Sequence, residues 1–391
     1  MKDRLEATQT ERLYYSDSHL FTFSARVTAC TPADGQWAIS LDKTAFFPEG
    51  GGQSADTGNI GPARVSAVHE RAGDILHYAS APLEVGCEYA CALDKEQRLR
   101  RMQNHTGEHI LSGLAHSLYG VENVGFHMGA ECMTIDFDRE LSWEELLRVE
   151  ALANEAVRDN LPVRAWFPDA AELAACDYRS KLALTENVRL VEIAGVDICA
   201  CCAPHASHTG EVGMIKLLEL ARHRGGVRLS AVCGLDALDS VRVMQDNVAE
   251  ASRLLSARRG ETAAAVERLL SQQQQLKERI AELSMANARM RADMTAPCAG
   301  NICVFDDTLD EVALRELANL LAEKCGGYAA VFSGSDEAGW RYTLVSRRVD
   351  LRAASRAINS AIGGRGGGTP EMLRGSAVKS RKEIQDFIEN S

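Results

Sequence analysis

The apolar positions follow different periods in different parts of the chain. Phe21-Thr22-Phe23-Ser24-Ala25-Arg26-Val27 and Trp37-Ala38-Ile39-Ser40-Leu41 alternate, which puts apolar and polar side chains on opposite faces of strands. Gly, Pro and Asp separate these short runs, so residues 1–94 read as a β-rich N-terminal domain, barrel-like or a strongly bent sheet. A helix is expected over roughly 98–119, then a strand at Met133–Phe137 and a helix from Trp143 to Asn160 with Ser142 as its N-cap. Strands follow at Val188–Ile193 and Met214–Leu218, and the mixture makes residues 95–240 an α+β domain.

Residues 241–296 carry a heptad-like seam. Val241, Met244, Val248, Ala251 and Leu255 fit one frame. Val266, Leu269, Leu276, Ile280, Leu283, Met290 and Met294 fit a second, and the frame breaks around Arg258-Arg259-Gly260 as at a stutter or hairpin turn. This predicts a helical coiled-coil arm, ended by Pro297 and Gly300. Residues 297–391 then read as a small α/β C-terminal domain. Its expected strands are Ile302–Phe305, Tyr328–Phe332 and Trp340–Val345, with an amphipathic helix from Leu309 to Lys324. The predicted fold class is therefore α+β, in four segments.

Composition narrows the class. Of 391 residues, 46% are hydrophobic and 25% charged, ordinary for a globular protein of two or three domains. No apolar run is long enough to span a bilayer, so no membrane partner is expected. The charged start, Met1 to Glu6, lacks the apolar core of a signal peptide, which predicts a cytoplasmic protein. Twelve cysteines scattered through such a chain point to metal binding rather than disulfides. A net charge of −12 argues against bulk nucleic-acid binding. The basic residues nevertheless gather locally, at Lys95, Arg98, Arg100 and Arg101, at Arg222, Arg224 and Arg228, and beyond Arg341. This pattern suits a specific polyanionic partner.

The chemistry concentrates in Asn104-His105-Thr106-Gly107-Glu108-His109 and Cys199-Ala200-Cys201-Cys202-Ala203-Pro204-His205. His105 and His109 lie one helical turn apart on one face. Cys201 and His205 repeat the spacing, and three imidazoles with one thiolate suit a single Zn²⁺ per chain. Cys199 and Cys202 are competing sulfurs, and spacing favours Cys201. The first motif is not the His-Glu-x-x-His of zinc proteases, because Glu108 directly precedes the second histidine. Upstream, Thr44 and Gln53 flank Gly50-Gly51-Gly52, whose backbone N–H groups can approach a ligand closely. The Gly-Lys-Ser/Thr ending of a P-loop is missing. Gly363-Gly364-Arg365-Gly366-Gly367-Gly368-Thr369-Pro370 is a glycine loop before a helical stretch, with Arg365, Gly366 and Gly367 as phosphate-backbone contacts.

Taken together, these motifs resemble the editing domain of alanyl-tRNA synthetase and its free-standing relatives, the AlaX trans-editing proteins. Thr44 through Asp56-Thr57-Gly58 looks like the family's glycine motif. His105-x3-His109 and Cys201-x3-His205 match its metal motif, and Thr209-Gly210 follows as it does there. The cysteine motif departs from the family's usual Cys-Gly-Gly-Thr-His. The final domain looks like the synthetase C-terminal domain that also occurs in DHH-type phosphoesterases. No P-loop or aspartate-rich DHH motif accompanies it, so an activating enzyme or phosphoesterase is not expected.

The resemblance implies hydrolysis of the ester that joins a wrong amino acid, serine or glycine, to tRNA(Ala). His105, His109, Cys201 and His205 would hold zinc. Gly51 and Gly52 would donate backbone hydrogen bonds to the oxyanion. Thr44, with Gln53 as second choice, would recognise the serine hydroxyl. Arg98, Arg100, Arg101, Arg365, Gly366 and Gly367 would contact tRNA, and the arm and C-terminal domain would bind the tRNA body or pair two subunits as a homodimer. The competing readings are a non-catalytic, zinc-stabilised tRNA-binding protein and a small-molecule metallohydrolase.

Overall fold

The computed structural model describes residues 9–180 and 187–391; the charged start, Met1 to Glu6, lies outside the described residues. Two compact units result, Met1–Asn247 and Val248–Ser391. The two N-terminal segments expected from the sequence thus merge into one body, and the boundary falls inside a continuous helix, Gly234–Leu254.

In the first unit, six strands close into a barrel in the order Thr22–Ala33, Gln36–Leu41, Asp74–Ala79, Ala63–Arg71, Gly58–Ile60, Glu88–Leu93. The alternation around Ala25 and Val27 turns those side chains inward, where Ile39, Leu41, Phe46, Ile60, Val65 and Ile75 fill the barrel. Two buried contacts join barrel to helix. Arg98 pairs with Asp56, and Gln53 bonds His105.

That helix, Lys95–Tyr119, ends at Gly120, whose left-handed φ of 62° lets the cap N–H return to His116. Its apolar face, Ile110, Leu111 and Ala115, packs with Met133, Ile135, Phe137 and Leu229. Those four come from an antiparallel sheet ordered Ile215–His223, Gly226–Cys233, Met133–Phe137, Asn123–Met128. The Trp143–Arg158 helix begins as expected at Ser142, which forms a capping box with Glu145. A three-stranded sheet, Val163–Trp166, Leu190–Ile193 and Asp197–Ala200, delivers the cysteine motif.

The second unit is built on a five-stranded sheet ordered Ile302–Phe305, Tyr328–Ser335, Gly339–Ser346, Met372–Ala377, Gly364–Gly368. The glycine stretch corrects its reading as a loop before a helix. Residues Gly364–Gly368 form an edge strand paired to Met372–Ala377. Gly366 sits there because an added Cβ would lie 2.2 Å from the Tyr342 hydroxyl. Asp310 caps the Glu311–Ala322 helix at its N-terminus. The break in the heptad frame is a short turn, Arg259–Glu261, before the Thr262–Met294 helix. That helix buries Ala288 and Ala292 against the sheet unit, while Leu269, Leu276 and Ile280 of the seam are exposed. Among the described residues no helix is long and apolar enough to cross a membrane.

Candidate metal centre and its pocket

One helix face and one strand end build the centre. His105 and His109 stack a turn apart on the Lys95–Tyr119 helix, and Cys201 and His205 follow directly on the Asp197–Ala200 strand. The ligand atoms of His105, His109, Cys201 and His205 all lie within 4.8 Å of one another. Cys201 Sγ is 3.6 Å from His105 Nε2 and 3.4 Å from His205 Nε2. Zinc–sulfur and zinc–nitrogen bonds of about 2.3 and about 2.0 Å at a tetrahedral angle require an S···N edge of about 3.5 Å. The donor set therefore fits a tetrahedral zinc in both chemistry and spacing.

Each imidazole uses its other nitrogen elsewhere. His105 Nδ1 meets Gln53 Oε1 at 2.9 Å, His109 Nδ1 meets Asp197 Oδ2 at 3.1 Å, and His205 Nδ1 meets the Thr106 hydroxyl at 3.1 Å. With the proton on Nδ1 of His105 and His109, Nε2 is left as the free lone pair, which is how ligating histidines are oriented. Asp197 is itself held by Arg179, at 2.7 and 2.9 Å. Burial disfavours its charge, but His109 and Arg179 more than offset this and keep its pKa below the usual carboxylate range. For Cys201 burial opposes the thiolate, yet His105 and His205 hold the pKa well below the ordinary thiol value. At His205 burial outweighs the opposing pull of Cys201 and lowers the pKa to about 3.

Position separates the three sulfurs: Cys201 is the one grouped with all three histidines. Cys202 is exposed and belongs to neither donor group. Cys199 is grouped instead with His109 and Asp197, and burial raises its thiol pKa.

His105, His109 and Cys201 form one wall of a cavity of about 300 Å³. Gly51, Glu108, Asn123, Phe126, Tyr15, Phe167, Arg179 and Arg189 complete much of the lining. Glu108 is only 4% exposed and takes hydrogen bonds from Ser112 and Asn123. Spacing could have found it, because position 108 is three residues beyond His105 on the same helical face. Asp197, Thr106 and Arg179 had no comparable signal.

Several expected residues do other work. Gly51 and Gly52, at φ 62° and 82°, form the two-residue turn between Gly50 and Gln53, whose backbones exchange hydrogen bonds. Gly51 lines the cavity, while Gly52 packs on a strand, where a Cβ would lie 2.4 Å from the Phe126 carbonyl oxygen. Gln53 orients His105; its buried Nε2 has no partner among the described residues, a donor that a substrate or water would satisfy. Thr44 is fully buried in the barrel. Its hydroxyl meets His77 Nε2 at 2.8 Å and accepts the Phe46 N–H at 3.1 Å, and the residue is not among those lining the cavity. Arg98, expected to contact tRNA, is instead fully buried against Asp56 and donates to the Ser18 carbonyl at 3.0 Å. Arg100 is engaged by Glu96, Asp236 and Asp239, and Arg101 lies 3.4 Å from Asp56. Arg365 is exposed on its edge strand.

Residues 188–229 match the threonyl and alanyl tRNA synthetase second additional domain, and residues 299–390 match the DHHA1 domain. The alanine–tRNA ligase of Natronomonas pharaonis is 32% identical over 98% of this chain and 44% of that protein. That of Archaeoglobus fulgidus is 29% identical over the same shares. The chain thus spans less than half the length of these curated relatives. Among solved structures, the C-Ala domain from Aquifex aeolicus alanyl-tRNA synthetase matches 25% of this chain and 96% of its own, at 19% identity and a TM-score of 0.21.

Proposed function

We propose that this chain, which is related to the alanyl-tRNA synthetases and carries two of their domains, is a hydrolase that removes wrongly attached serine or glycine from tRNA(Ala). The observation that carries the reading is the convergence of four possible metal donors, three of which, His105, His109 and Cys201, line a cavity that also holds a buried carboxylate. His105, His109, Cys201 and His205 would hold Zn²⁺. When bound there, the ion supplies a Lewis acid that polarises an ester carbonyl or lowers the pKa of a coordinated water.

The chain's own groups supply the rest. The backbone at Gly51 faces the cavity and donates toward the developing oxyanion. Glu108, a carboxylate on the cavity wall held by Ser112 and Asn123, complements the α-ammonium that every aminoacyl ester carries. Gln53 fixes His105, and Thr44 holds the Phe46 N–H and His77 inside the barrel. The reaction adds water across the ester: the carbonyl carbon–oxygen bond to ribose breaks, the acid leaves, and the ribose hydroxyl regains a proton.

A second reading is favoured by the four-donor set itself. Four protein ligands fill a tetrahedral shell, as in structural zinc sites, so the protein would bind tRNA without cleaving it. Incubation with seryl-tRNA(Ala) and alanyl-tRNA(Ala) separates the two. Hydrolysis of the seryl ester in preference to the alanyl ester supports the hydrolase. Binding of both without release of either would leave only the binding module.

A further inference from the structure

The cavity carries an aromatic pair that ester hydrolysis does not require. Tyr15 and Phe167 both line it, with ring centroids 5.3 Å apart and an interplanar angle of 76°. Phe167 is 49% exposed, a large apolar surface to leave open. Tyr15, by contrast, is fixed. It packs on the Tyr14, Phe47 and Ala203 cluster that also receives Cys201. The Arg189 guanidinium stands 5.2 Å from its ring centroid and is tied down by the carbonyls of Cys201 and Ala203, at 3.0 and 2.9 Å. The result is a rigid tyrosine, an open phenylalanine and a cation, all beside the backbone that positions the thiolate.

We propose that Phe167 and Tyr15 form a stacking site for the base of the terminal nucleoside that bears the ester, with Arg189 holding Tyr15 in place. The inference rests on the hydrolase reading above and adds where the nucleoside lies. Seryl and glycyl groups are too small and polar to need an aromatic rim. An unpaired base at the end of an RNA strand presents a π-face, and proteins take such bases on aromatic side chains. Stacking of this kind tolerates any base and loses affinity when the ring is removed.

The test compares Phe167→Ala, Phe167→Leu and Phe167→Tyr in the full chain. Zinc content and melting temperature are measured first, and then the Kd for a non-hydrolysable seryl-amide of 3′-amino-adenosine. Hydrolysis of seryl-tRNA and of seryl methyl ester, which has no nucleoside, completes the set. The expected result is a roughly 10-fold rise in Kd for the alanine and leucine variants, about 1.4 kcal/mol, with near wild-type binding for tyrosine. Relative to wild type, kcat/KM on seryl-tRNA falls by a similar factor, and the methyl ester is unaffected. Unchanged Kd in the alanine variant, or equal losses on both esters, would overturn the stacking site, as would a wild type that does not bind the amide. A wild type that binds the amide tightly but cleaves neither ester would refute the hydrolase reading and leave the stacking site standing.

Discussion

At the residue scale, the candidate metal centre is held in place by groups outside its donor set. The His-x3-His and Cys-x3-His spacings are visible in the sequence because each pair is local. Gln53, Thr106 and Asp197 are not visible as their partners, because the contacts join segments far apart in the chain. Arg98 shows the same blindness in reverse. In a row of basic residues it reads as a solvated contact, and only the fold reveals that Asp56 takes its charge. Removing an orienting partner is expected to be costly. Gln53→Leu or Asp197→Asn should weaken zinc affinity about 10- to 100-fold, measured by competition with a coloured chelator. Wild-type affinity in both would show that the orientation of the imidazoles does not matter. Glu108→Gln should keep the metal and raise KM for seryl-tRNA about 10-fold or more with a smaller change in kcat, as loss of a charge-assisted hydrogen bond implies. An unchanged KM with a collapsed kcat would mean that Glu108 moves a proton instead.

At the element scale, alternating and heptad periods were legible, and turn chemistry was only half so. Ser142 begins its helix as its residue type predicts. The two glycine stretches look alike in sequence, yet one is a hairpin turn at the cavity and the other an edge strand. Their neighbours decide this, since the second has a long partner strand in Met372–Ala377. The barrel holds a further feature that no motif announces. His77 is fully buried, with its Nδ1 3.0 Å from the Ile39 carbonyl oxygen and its Nε2 against Thr44. Burial lowers its pKa from 6.5 to about 4, so the folded barrel keeps the imidazole neutral. The unfolded chain then binds more protons between those two values. Stability from this group is complete above the unfolded pKa and is lost as pH falls toward the folded one. The loss should approach about 3 kcal/mol, read as the change in urea unfolding free energy of unit one with pH. His77→Gln should flatten that slope, and an equal slope in the variant would assign it to other groups.

At the scale of the whole molecule, the chain is two compact units. The metal centre, the cavity and the barrel all belong to Met1–Asn247. The helix Gly234–Leu254, which carries Asp236 to its pairing with Arg100, continues past residue 240, so the truncation is placed after Asn247 at the unit boundary. That truncated protein should keep its zinc and its cleavage of small seryl esters, while its Kd for tRNA rises at least several-fold. Equal tRNA affinity for the full and truncated chains would remove Val248–Ser391 from the binding account. The exposed seam of Leu269, Leu276 and Ile280 was legible as a heptad pattern, but a pattern specifies only that a face is apolar and not what covers it.

The central claim is that three imidazoles and one thiolate from two distant segments hold a single ion. Elemental analysis of the purified chain and of Cys201→Ala and His109→Ala tests it most directly. The expected result is about one zinc per chain in the wild type and little in either variant, since loss of one donor opens the tetrahedral set. Wild-type protein without zinc, or variants that retain the full complement, would contradict it.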